Sequence, residues 1–246
     1  MNFKKILITG PTSANKHYCF PEWLDHALRI NYPGEWKIVL FDNTVDNGES
    51  AKFQNDYYKK HYAGDKFECI QSDNRGQEGV IARICNSHND CRKYALDNNY
   101  DSILHLETDV MVNPHFLQEL VIHKKAVVGA LYYRDFGSFR KLMVQQRVNR
   151  SPSNVFMYNF DKNDDLSFVD GTLKQVGHIG LGCLLIDTKV LKKIPFRFVK
   201  NVGLHPDSYF AEDIWKAGIK IFADTLLIAE HRNQDWEQVY TKTNTK

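Results

Sequence analysis

No run of about eighteen apolar residues occurs in this 246-residue chain, so the sequence offers no candidate for a membrane-spanning helix. Peripheral contact with a membrane stays open. Cysteine is sparse and scattered: Cys19, Cys69, Cys85, Cys91 and Cys183 are odd in number and include no CxxC pair. That pattern carries no zinc or thiol-redox signature, and reduced thiols suit a cytoplasmic protein. Charge of one sign is also missing, because 32 Lys and Arg against 30 Asp and Glu leave a net charge of only +2. So mild a balance does not by itself call for nucleic acid. The opening residues, MNFKKILITG, hold only a short apolar run that stops at Gly10-Pro11, which reads as a first strand and not as a signal peptide. With 43% apolar and 25% charged residues, the chain has the make-up of an ordinary globular protein. Its length allows one large α/β domain, expected over residues 1–232 with a polar tail at 233–246.

Strand and helix patterns alternate from the start. Residues 3–9 (FKKILIT) form a strand that stops at Gly10-Pro11-Thr12, followed by an amphipathic helix from Pro21 to Ile30 with proline in its first turn. Trp36 to Phe41 is a second strand, Ala51 to Tyr62 a helix, and Phe67 to Ile70 a third strand. Ile81, Ile84, Cys85, His88, Cys91 and Ala95 recur at intervals of three and four, predicting a long helix from about Gly79 to Asp97. This alternation points to a doubly wound, mostly parallel, Rossmann-like α/β sheet flanked by helices. Ligands of such sheets bind beyond the carboxyl ends of the strands.

The fourth strand is the most informative stretch. Ser102 to Pro114, SILHLETDVMVNP, has an apolar run too short for a helix and rich in β-branched residues, broken by Glu107 and Asp109. On an extended backbone two acids spaced by two point the same way. Burying two like charges costs several kcal/mol, roughly, unless something neutralises them, and carboxylate oxygens suit Mg²⁺ or Mn²⁺. The bland alternative is a strand that ends at Leu106 and leaves two solvated acids in a loop. Because the ends of all four strands carry Thr9 to Thr12, Asp42, Asp73 and the acid pair, one polar crevice is expected.

A helix after Pro114 leads to a fifth strand, Ala126 to Tyr133. Residues 134–176 lack clean periodicity and hold Arg134, Arg140, Lys141, Arg147 and Arg150, so an excursion or flap is expected there. It either binds acceptor or is a plain loop. Val176 to Ile186 (VGHIGLGCLLI) returns to a strand whose three glycines suggest a bend or a close approach of ligand to backbone. Thr188 to Ile194 is a short helix. Asp207 or Ser208 caps a helix running to Gly218, with Glu212 and Asp213 in or near its first turns, and Ile219 to Ile228 is a last strand closed by Glu230-His231.

Four segments together resemble the GT-A-fold, nucleotide-sugar-dependent glycosyltransferases (family-2-like). Asn89 to Val110 resembles that family's long helix followed by the DxD strand, here in the variant ETD. GHIGLGCLLI resembles the acceptor-side strand, Tyr209 to Asp224 resembles the xED helix, and LLIAEH resembles the strand whose histidine completes the metal site. The resemblance runs over most of residues 3–232. Where related sequences often show an Arg-Asn pair on the long helix, this chain has His88-Asn89, leaving Arg83 or Arg92 to substitute.

The resemblance implies a divalent metal, Mn²⁺ or Mg²⁺, held by Asp109 and His231 and by Glu107, which would bind it through water or hold the ribose. It implies a nucleoside diphosphate sugar donor cradled by Pro11, Thr12, Asp42, Asp73, Arg75, Arg83, Asn89 and Thr108. Asp213, with Glu212 as the alternative, is the expected general base, and single displacement would invert the anomeric centre. Absent the resemblance, the two acids would simply complement a helix dipole. Gly180, Gly182 and Trp215 fall on the acceptor side, Trp215 either stacking on a sugar or belonging to the core. A carbohydrate or lipid-linked glycan is the expected acceptor, with modified nucleic acid as a second class. Two rivals remain open: a metal-dependent nucleotidyltransferase, for which GPTSANK is a poor phosphate loop, and a sugar- or nucleic-acid-binding module without turnover.

Overall fold

The computed structural model describes residues 4–74, 79–135, 140–147, 157–159, 167–200 and 204–232. Strands β1 (Ile6–Thr12), β2 (Trp36–Asp42), β3 (Phe67–Gln71) and β4 (Ser102–Leu106) alternate with helices α1 (Phe20–Leu28), α2 (Glu49–His61) and α3 (Val80–Asp97). There follow β5 (Val110–Met111), α4 (Phe116–Ile122), β6 (Val127–Asp135), β7 (Arg140–Leu142), β8 (Val144–Arg147) and β9 (Met157–Asn159). The chain continues with β10 (Leu173–Val176), β11 (His178–Ile179), β12 (Cys183–Asp187), α5 (Thr188–Lys193), α6 (Pro206–Lys216) and β13 (Ile221–His231).

The main sheet runs in the order β10-β13-β6-β12-β4-β1-β2-β3. Strands β13, β6, β4, β1, β2 and β3 share one direction, while β12 and β10 oppose their neighbours. The expected mixed, mostly parallel sheet is therefore present, with an antiparallel strand, β12, wedged between β4 and β6. Side chains alternate across it with period two. Ile6, Ile8, Ile38, Leu40 and Leu104 pack under α1, α2 and α4, whereas Leu7, Val39, Phe41 and Ile103 pack under α3, α5 and α6. Both faces are covered, which is why these central strands read as nearly unbroken apolar runs.

Three expected elements are divided. The strand predicted across Ser102 to Pro114 stops at Leu106, turns, and resumes as β5. The glycine-rich strand predicted across Val176 to Ile186 breaks into the end of β10, then β11 and β12. In the 134–176 excursion, β7 pairs with the end of β6, and β8 joins β9 and β11 in a separate three-stranded sheet. Residues 136–139, 148–156 and 160–166 of that excursion, Arg150 among them, and the polar tail lie outside the described residues. Among the described residues no helix is long and apolar enough to cross a membrane.

Candidate active site

Glu107 follows the last residue of β4, and a tight turn in which the Val110 N–H donates to the Glu107 carbonyl at 2.9 Å brings Asp109 round beside it. The extended geometry expected for this pair does not exist. The two acids converge because the strand stops. The solvated-loop alternative fails as well, since the Asp109 side chain is only 1% exposed. The third member comes from the far end of β13, whose His231 pairs with Val110. One ligand atom from each of Glu107, Asp109 and His231 lies within 4.8 Å of the others. His231 Nε2 stands 3.6 Å from Asp109 Oδ2, its ring stacks on Tyr132 at a centroid distance of 5.6 Å, and the Arg232 N–H donates to the Asp109 carbonyl at 2.7 Å.

Burial and then the charge of Asp109 push the Glu107 carboxyl up to about 7, against the opposing pull of Lys16 and His205. Asp109 Oδ2 takes the Lys16 ammonium. Its other oxygen, Oδ1, is buried with no hydrogen-bond partner among the described residues. Leaving a carboxylate oxygen so placed is costly. Two carboxylates and one imidazole around an unfilled oxygen make a donor set that fits a small divalent cation, the nitrogen tilting the choice toward Mn²⁺.

A second polar group faces Glu107 from the start of α6. Asp207 Oδ1 lies 3.4 Å from His205 Nδ1, and its Oδ2 lies 3.6 Å from His178 Nε2. Burial alone would raise the Asp207 carboxyl, but the two imidazoles hold it well below the usual carboxylate range. His205 is raised above its ordinary value because Asp207 and Glu107 together outweigh its burial. The charges of both groups act on Glu107, and that of Asp207 acts on the buried Tyr132 as well.

The two acids expected to act as base lie further along the same helix. The helix begins at Pro206, so Glu212 and Asp213 are its seventh and eighth residues and not in its first turn. Asp213 lies six residues, about 9 Å of helix, beyond Asp207. Arg197 grips Asp213 with Nε at 2.6 Å and a second nitrogen at 3.0 Å, and reaches Glu212 at 3.3 Å. Glu212 also pairs with Lys216 at 2.5 Å. Proline at the first helical position was the signal that identifies Asp207 as the first-turn acid.

The expected donor residues divide. Thr12, at the end of β1, and Thr108 are buried with their hydroxyls 3.2 Å apart, directly beside the acid pair, and Pro11 precedes Thr12 on the same strand. Asp42 is buried and fully engaged within the fold: Ser50 Oγ and Gln54 Nε2 donate to its Oδ2 at 2.5 and 2.9 Å, and the Thr44 N–H donates to its Oδ1 at 2.8 Å. Asn89 exchanges hydrogen bonds of 2.8 and 3.1 Å with the Phe196 backbone. Arg92 donates to the Leu191 carbonyl at 2.6 Å at the end of α5, whereas Arg83, in the first turn of α3, keeps a buried Nε with no hydrogen-bond partner among the described residues. Asp73 is exposed and its carbonyl accepts from Asn86 at 2.9 Å. Arg75 lies outside the described residues.

Gly180 and Gly182 make room for Tyr132. A Cβ on Gly180 would collide with the tyrosine hydroxyl, one on Gly182 would fall 2.5 Å from its ring, and the Gly182 N–H donates to that hydroxyl at 3.1 Å. Trp215 is 43% exposed, which rules out the core alternative. It lines a recess of about 320 Å³ with Gln146, Gln175 and Lys220.

No protein-family model matches the chain, and no curated protein matches it. Solved structures do. GalNAc-T7, in a structure with UDP, GalNAc and Mn²⁺, matches with a TM-score of 0.65 at 12% identity, over 95% of this chain and 44% of its own. TarS from S. aureus, in complex with UDP-GlcNAc, matches with a TM-score of 0.57 at 15% identity, over 94% of this chain and 60% of that structure. The mannosyltransferase PcManGT from Pyrobaculum calidifontis, in complex with GDP-Man and Mn²⁺, matches with a TM-score of 0.58 at 12% identity, over 98% of this chain and 61% of its own. The chain thus spans less than two thirds of each of these relatives. At such identities the likeness establishes the fold, which is of the GT-A type.

Proposed function

We propose that this chain is a metal-dependent glycosyltransferase that moves a sugar from a nucleoside diphosphate sugar to an acceptor hydroxyl. The observation that carries this is the buried Asp109, with one oxygen unsatisfied, facing Glu107 and His231 at the end of a GT-A-type sheet. The UDP, UDP-GlcNAc, GDP-Man and Mn²⁺ in the matching structures support a nucleoside diphosphate sugar as donor and a divalent cation as cofactor. Residues 1–232 are taken as the catalytic unit.

Asp109, Glu107 and His231 hold the cation, with Tyr132 fixing the imidazole plane from behind. Bound there, the metal offsets negative charge that gathers on the departing diphosphate. Pro11, Thr12 and Thr108 form the donor-side wall, and Arg83, whose Nε has no hydrogen-bond partner among the described residues, is offered to phosphate. Asp207 takes the acceptor's proton. Its two imidazole neighbours keep it ionised at neutral pH. A single displacement by such a base inverts the anomeric centre. The recess beside Trp215, eight residues along the helix from Asp207, would suit a more distant unit of a carbohydrate or glycan acceptor.

A panel of UDP- and GDP-sugars tests the proposal by release of nucleoside diphosphate. The wild-type protein with Mn²⁺ is expected to consume at least one donor, Asp109→Asn to lose that turnover, and Asp207→Asn to fall by at least about 100-fold while still binding nucleotide. Asp213→Asn should keep its rate within a few-fold. Equal activity of wild type and Asp109→Asn would remove the metal site from the mechanism, and a collapse confined to Asp213→Asn would return the base to that residue.

A further inference from the structure

Lys16 closes the 3-10 turn Ala14–Lys16 that directly follows β1. The turn is pinned by its own backbone, the Lys16 N–H donating to the Ser13 carbonyl at 2.8 Å, and from outside by Thr44, whose hydroxyl accepts from the Ala14 N–H at 2.8 Å. The neighbouring Cys19 thiol reaches the Thr108 carbonyl at 3.2 Å, tying the segment to the turn between the two acids. So anchored, the lysine sends its ammonium inward to Asp109 Oδ2, with 17% of its side chain exposed. That oxygen is the one His231 Nε2 faces at 3.6 Å. The ammonium thus stands on the Asp109 oxygen that His231 Nε2 faces, leaving Oδ1 as the oxygen without a hydrogen-bond partner among the described residues.

A buried carboxylate with a partner tolerates burial far better than one without. Lysine supplies that partner, but as a flexible point charge that can leave. We propose that Lys16 is a built-in counter-ion of the carboxylate pair that competes with a divalent cation for Asp109, so that the ammonium lowers the affinity of the site for metal alone. The inference rests on the metal site proposed above and adds a competitor to it. A cation entering the site gains two carboxylates and an imidazole, but it is repelled by the ammonium already paired with Asp109. Removing the ammonium therefore strengthens metal binding, the opposite of what loss of a metal-site residue would do.

The test is titration of Mn²⁺ alone, followed by electron paramagnetic resonance of the free ion, with wild type, Lys16→Met, Lys16→Gln and Asp109→Asn. Both Lys16 variants are expected to bind Mn²⁺ at least about tenfold more tightly than wild type, and Mn²⁺ should raise their unfolding temperature more than that of wild type. Lys16 variants that fold only when Mn²⁺ is added support the same conclusion, because the metal then replaces the missing charge. Binding no tighter than wild type, with Asp109→Asn still abolishing it, overturns the role of Lys16 and leaves the metal site standing. So does failure of both variants to fold even with Mn²⁺. Equal binding by Asp109→Asn and wild type, or none by any variant, removes the site and the counter-ion together.

Discussion

Glu107 shows most clearly what one residue contributes here. Its carboxyl, pushed up to about 7 from 4.5 by burial and by Asp109, binds protons in the folded state at pH values where the unfolded chain has released them. Folding stability of the metal-free protein therefore loses a contribution as pH rises from about 4.5 through about 7. At 1.36 kcal/mol per pKa unit the loss has an upper bound of about 3 kcal/mol, less what solvent screens. Glu107→Gln removes this penalty. Urea denaturation without metal should find the variant more stable than wild type at pH 8, with the gap closing toward pH 5. A difference that is constant across that range would mean that the carboxyl titrates normally. The acid pair and His231 were legible in the sequence through the spacing of the ETD segment and the family resemblance. Asp207, proposed above as the base, was not, because a histidine-proline-aspartate start reads as an ordinary helix cap until the helix is seen to begin there.

Elements carried the geometry that residue spacing could not. The apolar alternation gave β1 to β3 and α1 to α3 to within a few residues, since both faces of the sheet bury what the pattern marks. It failed at Glu107 to Asp109 and at Gly180 to Gly182, where the chain turns inside what looks like continuous strand. Both breaks depend on contacts far apart in sequence: the Glu107 N–H donates to the Gly182 carbonyl at 3.0 Å, and Tyr132 fills the space over the glycines. Gly182→Ala would place a methyl group 2.5 Å from the Tyr132 ring and force the tyrosine off His231. A loss of about 1–3 kcal/mol is expected for such overpacking, measured by chemical denaturation, together with weaker Mn²⁺ binding. Wild-type stability in this variant would show that the tyrosine has room to spare.

Across the whole molecule, the order β10-β13-β6-β12-β4-β1-β2-β3 puts the ends of β1 and β4 side by side and lets the long β13 return its last residue to β5. The mostly parallel sheet was legible as strand and helix alternation. The insertion of antiparallel β12, and the delivery of His231 through a register shift between Asp224 and Ile228 of β13, depend on pairings that no local pattern encodes. The site exists only because these distant pieces close on one another, so locating the ion tests the account most directly. Diffraction at the manganese absorption edge, from crystals grown with Mn²⁺ and UDP or GDP, should show an anomalous peak about 2.2 Å from Asp109 and His231. Bound nucleotide with no such peak there, or manganese held only by other residues, would contradict it.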